Sequence, residues 1–170
     1  MKNNTKEITL IGLVSALQIV ITLYFQMFSL LSLIVFVLAL TKKQAIALTL
    51  VSSIINCLIS FNIMTVANIG ILLLICLMIK KYQEIRLFEC TKSQTISNQI
   101  ELGTFSFIII FISNFILELL AMIIYDFPIE YLIISLPINL IGALINGLLI
   151  GIMALTLNNI ICKLLLRIKL

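Results

Sequence analysis

The stretch FIIIFISNFILELLAMIIYDF, residues 107–127, is apolar almost throughout and yet contains Asn114 and Glu118. A helix that crosses a bilayer takes about 20 residues at roughly 1.5 Å rise per residue, so this stretch is long enough. An ionisable side chain at such depth costs on the order of a few kcal/mol and usually faces a protein interior or a cavity. The stretch therefore predicts a membrane helix whose carboxylate has a functional or structural reason to be there.

The composition of the whole chain favours the same class of protein. Of the 170 residues, 62% are hydrophobic and only 11% are charged, and the mean hydropathy is +1.28. These are too few polar residues to cover the surface of a soluble domain. The N-terminal apolar run lacks a small-residue cleavage site, so we interpret it as an uncleaved first span. We predict an all-α integral membrane protein.

Charged breaks divide the chain into four apolar blocks, and the first two are too long for one helix each. Residues 8–40 would run about 50 Å as a helix, against a hydrocarbon core of about 30 Å. Each of these blocks is therefore predicted to be a hairpin of two short helices, turning near 25–29 and near 60–62. The six predicted spans are 8–24, 29–40, 45–60, 62–79, 102–125 and 131–161, in a single membrane domain over residues 1–170 with a polar cytoplasmic segment over 80–101.

The distribution of charge predicts the orientation of these spans. With the N-terminus inside, all 11 Lys and Arg residues fall in cytoplasmic segments, as the positive-inside rule requires. The external loops then carry only Asp126 and Glu130. We predict a compact bundle of six transmembrane helices with the N-terminus and the C-terminus both inside. The basic pI of about 9.0 then reflects orientation and contact with anionic lipid rather than with nucleic acid.

Polar side chains in three predicted spans lie at similar depths below the outer surface. Glu118 and Asn114 share a helix face, because positions four apart are neighbours. Helical rise places Glu118, Asn68 and Asn139 about 9–12 Å from the outer ends of their spans. Such groups often only bond a neighbouring helix, but their common depth favours a small-molecule pocket. The predicted substrate-binding residues are Asn68, Asn114, Glu118, Tyr125, Asn139 and Asn146.

Several residue types that carry chemistry are missing from the sequence. Histidine is absent, and the cysteines Cys57, Cys76, Cys90 and Cys162 form no C-x-x-C pair. There is no G-x-x-x-x-G-K-[ST] phosphate loop. We therefore expect no catalytic site, no metal and no cofactor, and we predict that the protein is not an enzyme.

Small residues repeat at four-residue steps in the first and last spans. Gly12 and Ala16 form such a step in the first span, and Ala143, Gly147 and Gly151 form a longer one in the last. Small residues let helices approach closely. We expect the last stripe to pack within the protein and the first to serve a partner.

The six short spans in 170 residues, the cytoplasmic ends and the Gly12–Ala16 step together resemble the substrate-binding S components of energy-coupling factor (ECF) vitamin transporters. The stretch DFPIEYLIISLPINLIGALINGLLIGIMAL, residues 126–155, is similar to the final loop and helix of that family, with a Pro-x-Asn near the outer end. The resemblance covers nearly the whole chain.

The resemblance implies a subunit of a bacterial plasma membrane that captures a vitamin or its precursor from outside. It would dock on a transmembrane coupling (T) subunit and two cytoplasmic ATPase subunits, which supply the energy. Members of the family dock through an Ala-x-x-x-Ala on the first helix, and Gly12 and Ala16 occupy that place here, with Gly as a departure. Later helices and outer loops hold the family's ligands, which suits Asn68, Asn114, Glu118 and Asn139.

The carboxylate of Glu118 bears on the class of substrate. A carboxylate in a dry pocket prefers a cation or several hydrogen-bond donors, so a thiamine-related or other amine-bearing heterocycle fits better than an acidic vitamin. A protonated Glu118 would donate to an anion instead, and the sequence leaves both open. The alternative function is a non-catalytic scaffold of cell-wall synthesis, similar to the small rod-shape-determining proteins of the MreD type, which needs neither a ligand nor a polar pocket.

Overall fold

The computed structural model describes residues 2–86 and 96–169, which form six α-helices without any strand in these ranges. The helices are α1 (Lys2–Tyr24), α2 (Gln26–Ala39), α3 (Lys42–Ser60), α4 (Ile63–Arg86), α5 (Ile96–Tyr125) and α6 (Ile129–Lys169). Five of them are long and apolar enough to cross a membrane, and α2 is a shorter apolar helix. The prediction of an all-helical chain with six helices is confirmed, and it is compatible with a multi-pass membrane protein.

The helices end where the sequence predicts turns, but several continue beyond the predicted spans. α1 and α2 meet at Phe25, and α3 and α4 meet at Phe61 and Asn62. α4 continues from the apolar span 62–79 through polar residues to Arg86, and α5 already begins at Ile96. The predicted cytoplasmic segment 80–101 is thus helical at both of its ends, while residues 87–95, with Cys90, lie outside the described residues.

The turn between α3 and α4 is built by residues with special backbone geometry. Phe61 adopts the left-handed conformation, with φ 44° and ψ 38°, and its N–H donates to the Cys57 carbonyl at 3.0 Å. The next residue, Asn62, accepts a hydrogen bond from the Met64 N–H at 3.0 Å through its side chain. A side-chain oxygen in that position caps the free N–H groups of a helix start. The turn therefore ends one helix and begins the next within two residues.

The chain divides into two compact units, each described by itself. Unit 1 comprises residues 1–93 with 154–170, and unit 2 comprises residues 94–153. Unit 1 contains α1 to α4, in which α1 packs on α2 and α3, and α4 packs on α2 and α3. That the units make up the single membrane domain over 1–170 stays a prediction.

Polar contacts join the helices of unit 1. Gln18 of α1 is 4% exposed, and its amide nitrogen donates to the Ser29 carbonyl of α2 at 2.9 Å. Its amide oxygen accepts from the Ser32 hydroxyl at 2.7 Å. Cys57 is half-buried and Cys76 is buried, and both are free thiols. The buried amide of Gln18 thus joins α1 to α2 by two hydrogen bonds.

Glycines bring α5 and α6 together in unit 2. A Cβ atom at Gly147 would lie 2.7 Å from the Phe107 Cβ and 3.0 Å from the Gly103 carbonyl oxygen. One at Gly151 would lie 2.9 Å from the Gln99 carbonyl oxygen. Real Cβ atoms do not approach this closely, so these positions need glycine. The stripe of Ala143, Gly147 and Gly151 is buried here, as we expect from the sequence.

Candidate functional site

A hydrogen bond from Ser135 joins Glu118 of α5 to α6 within unit 2. The Ser135 hydroxyl donates to Oε2 of Glu118 at 2.5 Å and lies 3.2 Å from its own-helix carbonyl of Leu132. Glu118 is half-buried and Ser135 is buried. If the carboxylate is ionised, a hydroxyl hydrogen bond to it is charge-assisted and strong. The carboxylate that the sequence singles out therefore has a structural partner on the neighbouring helix.

Two amides lie one helical turn further along the same pair of helices. Asn114 precedes Glu118 by four residues on α5, and Asn139 follows Ser135 by four residues on α6. Residues four apart are stacked on one face of a helix, so the Glu118–Ser135 bond sets a register in which Asn114 and Asn139 share a level. The Nδ2 atom of Asn139 is buried and has no hydrogen-bond partner among the described residues. The carboxylate and the two amides therefore lie on two adjacent turns of the α5–α6 pair.

The remaining predicted residues of unit 2, Asn146 and Tyr125, lie about two helical turns from Asn139 and from Glu118 respectively. Asn146 uses its Nδ2 to donate to the Gly142 carbonyl of its own helix at 2.9 Å. Tyr125 ends α5, and its ring centroid lies 5.7 Å from that of Phe127. The Phe127 ring in turn lies 4.9 Å from Tyr131. Tyr125 therefore belongs to an aromatic cluster at the α5–α6 turn.

Asn68 belongs to unit 1, where it is half-buried on α4. The Thr49 hydroxyl of α3 lies beside the Cys76 thiol of α4, which sets the register of these two helices. Helices α3 and α4 are antiparallel, so eight residues from Thr49 and Cys76 towards the turn, Cys57 of α3 and Asn68 of α4 lie at the same height. Asn56 adjoins Cys57 and is therefore close to Asn68 along the helix axis. The buried Oδ1 of Asn56 has no partner among the described residues. Within unit 1, Asn68 and Asn56 thus place two amide side chains at a similar height on neighbouring helices.

Sequence reasoning missed Ser135, the residue that contacts Glu118. The available signal was its spacing, because Ser135 lies four residues before Asn139 and shares its helix face. Serine is common in membrane helices and costs little to insert, so its spacing alone did not single it out. Ser106 and Ser113 are also buried on α5, and neither was predicted.

The chemistry open to this arrangement is binding by hydrogen bonds. The two oxygens of an ionised carboxylate offer about four acceptor positions, of which the Ser135 hydroxyl uses one. The amide nitrogen of Asn139 offers donors. Among the described residues, no group of His, Cys, Asp and Glu side chains is arranged to hold a metal ion. The acceptors of Glu118 and the donors of Asn139 are groups that can hydrogen-bond a polar or cationic molecule.

The predicted docking residues lie on the exposed side of α1. Gly12 and Ala16 are both exposed, whereas Val14, Ser15 and Gln18 are buried against unit 1. A Cβ atom at Gly12 would have no atom of the described chain within 4 Å. The small-residue step is thus on the face that α1 does not use within its own unit.

Comparison of the chain with protein-family models, with curated proteins and with solved structures finds no match. The resemblance to ECF S components therefore stays a prediction from the sequence. The case for a function rests on the residues of α5 and α6 and on the pattern of charge along the chain.

Proposed function

We propose that the protein is a multi-pass subunit of a bacterial plasma membrane that captures a vitamin-like organic molecule from outside, in the manner of an ECF S component. The single observation that carries this proposal is the pair of polar side chains, Glu118 and Asn139, on adjacent turns of α5 and α6 in unit 2. There Glu118 accepts one hydroxyl hydrogen bond, and the Asn139 amide nitrogen is buried without a partner among the described residues.

The carboxylate supports a ligand because its partner uses only part of its capacity. One hydroxyl from Ser135 leaves about three acceptor positions of an ionised carboxylate for other donors. Leaving the buried Asn139 amide nitrogen without a partner costs about 1–3 kcal/mol. A ligand with a hydrogen-bond acceptor for that amide, and with N–H donors or a positive charge for the carboxylate, would remove that cost. A thiamine-related or other amine-bearing heterocycle has this chemistry.

The partners of the protein follow from the resemblance to ECF S components. That family draws energy from a coupling (T) subunit and two cytoplasmic ATPase subunits, which fits a chain without a phosphate loop of its own. The exposed step of Gly12 and Ala16 on α1 suits close contact with a helix of the coupling subunit. In this proposal the protein binds and releases its ligand unchanged and acts without a cofactor.

The first experiment identifies the ligand. The protein would be purified from membranes in mild detergent, denatured, and the released small molecules identified by mass spectrometry. We expect one amine-bearing heterocycle in near-stoichiometric amount from the wild type, and a much lower yield from Glu118→Gln. A matched control is Glu130→Gln, because Glu130 lies in the same unit but is exposed. If the wild type and both variants carry no such molecule, the capture function is wrong.

A second candidate function is the non-catalytic scaffold, and the Ser135 hydrogen bond is the observation that favours it. If Glu118 serves only to join α5 to α6, no ligand is needed to explain it. The two functions differ in what Ser135→Ala would do. In a scaffold this variant lowers the melting temperature and nothing else changes, whereas in a capture subunit it also alters the affinity for the ligand.

A further inference from the structure

The C-terminal end of α2 lies in the interior of unit 1. Leu38 is 2% exposed and Leu40 is 5% exposed, and Leu40 is the C-cap residue whose N–H donates to the Phe36 carbonyl at 3.0 Å. The last four carbonyl groups of a helix have no partner inside that helix. Buried carbonyl groups are nearly always paired, because an unpaired one is costly. The end of α2 therefore needs donors from another element.

Two side chains of α4 supply these donors. The ammonium group of Lys80 donates to the Leu40 carbonyl at 2.5 Å and to Oε1 of Gln83 at 2.6 Å. The amide nitrogen of Gln83 donates to the Leu38 carbonyl at 3.0 Å. Lys80 itself is 5% exposed. Its positive charge also lies at the negative end of the α2 dipole, where a cation is stabilising.

We propose that Lys80 and Gln83 form an inner clamp. These two side chains of α4 cap the C-terminal end of α2 and so fix the position of the α2–α3 turn. With 14 residues, α2 is about 21 Å long, which is less than the roughly 30 Å of a hydrocarbon core. No carbonyl group can be left unpaired inside that layer. The inner clamp lets a helix too short to cross it end among protein donors. This inference does not depend on a ligand at Glu118.

The inner clamp differs from the ion pair beside it. Lys42 at the start of α3 pairs with Glu84 of α4 at 3.3 Å, but these side chains are 55% and 57% exposed. Exposed pairs of this kind contribute little to stability. Among the polar contacts between α4 and the α2–α3 turn, we therefore expect the buried ones of Lys80 and Gln83 to matter most. Lys81, exposed and adjacent in sequence, offers a matched control for Lys80.

The first test uses the wild-type protein in detergent. An amine-reactive acylating reagent should modify Lys81 and Lys43, which are exposed, many times faster than Lys80. Peptide mass spectrometry would give the three rates. Lys80 reacting as fast as Lys81 would overturn the inner clamp.

The second test follows amide hydrogen exchange of residues 37–40. Lys80→Met keeps the apolar stem and removes the charged donor, so exchange at the end of α2 should become about tenfold faster or more. Gln83→Leu removes the donor to the Leu38 carbonyl and one acceptor of Lys80 but leaves the Lys80–Leu40 hydrogen bond. It should therefore give a smaller increase, which also covers the case in which Lys80→Met fails to fold. Lys81→Met should leave the exchange of these residues as in the wild type. Exchange unchanged in Lys80→Met, or raised equally in Lys81→Met, would contradict the proposal.

Discussion

Lys80 in α4 and Glu118 in α5 are both ionisable side chains in long apolar helices, and they differ in how fully their partners satisfy them. Lys80 is buried and its ammonium donates to a helix-terminal carbonyl and to a glutamine oxygen. Glu118 is half-buried, and the described residues give its carboxylate a single hydroxyl donor. The first group is accounted for by the fold of unit 1. The second has acceptor capacity that the fold of unit 2 leaves unused.

This difference separates structural from functional reasons for a polar group at depth. A buried group that donates to a helix-terminal carbonyl and to a neighbouring side chain stabilises one arrangement of helices, and removing it should change stability first. A group with unused capacity near an unpartnered amide is better placed to bind something else, and removing it should change affinity first. We therefore expect Lys80→Met to act first on stability and Glu118→Gln to act first on affinity.

The largest expected effect concerns the side of the membrane on which the α5–α6 turn and the α2–α3 turn lie. We expect the α5–α6 turn to be external and the α2–α3 turn, beside Lys80, to be cytoplasmic. In a cysteine-free background, Pro128→Cys should react with an impermeant maleimide on intact cells, whereas Lys43→Cys should react only after permeabilisation. The difference should be close to all or none. Labelling of position 128 only from inside would contradict the six-span orientation.

The next effect concerns the surface of unit 1 that faces away from its own helices. Gly12→Leu and Ala16→Leu should abolish uptake and co-purification with the coupling subunit, because bulky side chains would hold a partner helix away. Ligand binding should be unchanged, since both side chains lie on the exposed side of α1. Leu17→Phe is a matched control that adds bulk to another part of the exposed surface of α1. Normal uptake by all three variants would mean that the first-helix step is not a docking site.

Glu118→Gln tests the functional side of the comparison. The substitution keeps the shape and the acceptor for Ser135 but removes the charge, so affinity for a cationic ligand should fall by about 1.5–3 kcal/mol, tenfold or more. The melting temperature should stay close to that of the wild type. Titration calorimetry with the compound that co-purifies, alongside a melting curve, measures both. Unchanged affinity with a lower melting temperature would place Glu118 with Lys80 as a structural group.

The elements of the fold were predictable because length and charge constrain them strongly. The first two apolar blocks were predicted to turn because they are too long for one bilayer crossing, and the turns at Phe25 and at Phe61 lie where that argument places them. The fourth block is also long, yet it continues without a turn as α6. The face shared by Asn114 and Glu118 followed from helical spacing alone. These features depend on residues close together in sequence, which a single chain displays directly.

The partners of the polar groups could not be predicted, because they depend on helices that are distant in sequence. Lys80 follows an apolar block and reads as a solvated cytoplasmic charge, yet its partner is a backbone carbonyl 40 residues away. Every residue has such a carbonyl, so no side-chain pattern marks it. Ser135 lies 17 residues from Glu118, and only the packing of α5 on α6 identifies it among many serines. The sequence predicts which segments are helices, but it does not predict how neighbouring helices are aligned along one another.

The smallest expected effect tests how the two units hold their helices together. Helices α5 and α6 of unit 2 meet in close backbone contact at glycine, whereas unit 1 has hydrogen bonds between helices in addition to its apolar core. Adding one methyl group should therefore matter in unit 2. Gly147→Ala would place a Cβ atom 2.7 Å from the Phe107 Cβ, and overpacking of this kind costs about 1–3 kcal/mol. Gly142→Ala on the same helix meets nothing within 4 Å and should gain about 0.5–1 kcal/mol from helix propensity. Denaturant unfolding in detergent, followed by circular dichroism, measures both free energies. If the two variants are equally stable, α5 and α6 do not depend on close backbone contact, and the register that brings Asn114 level with Asn139 loses its support.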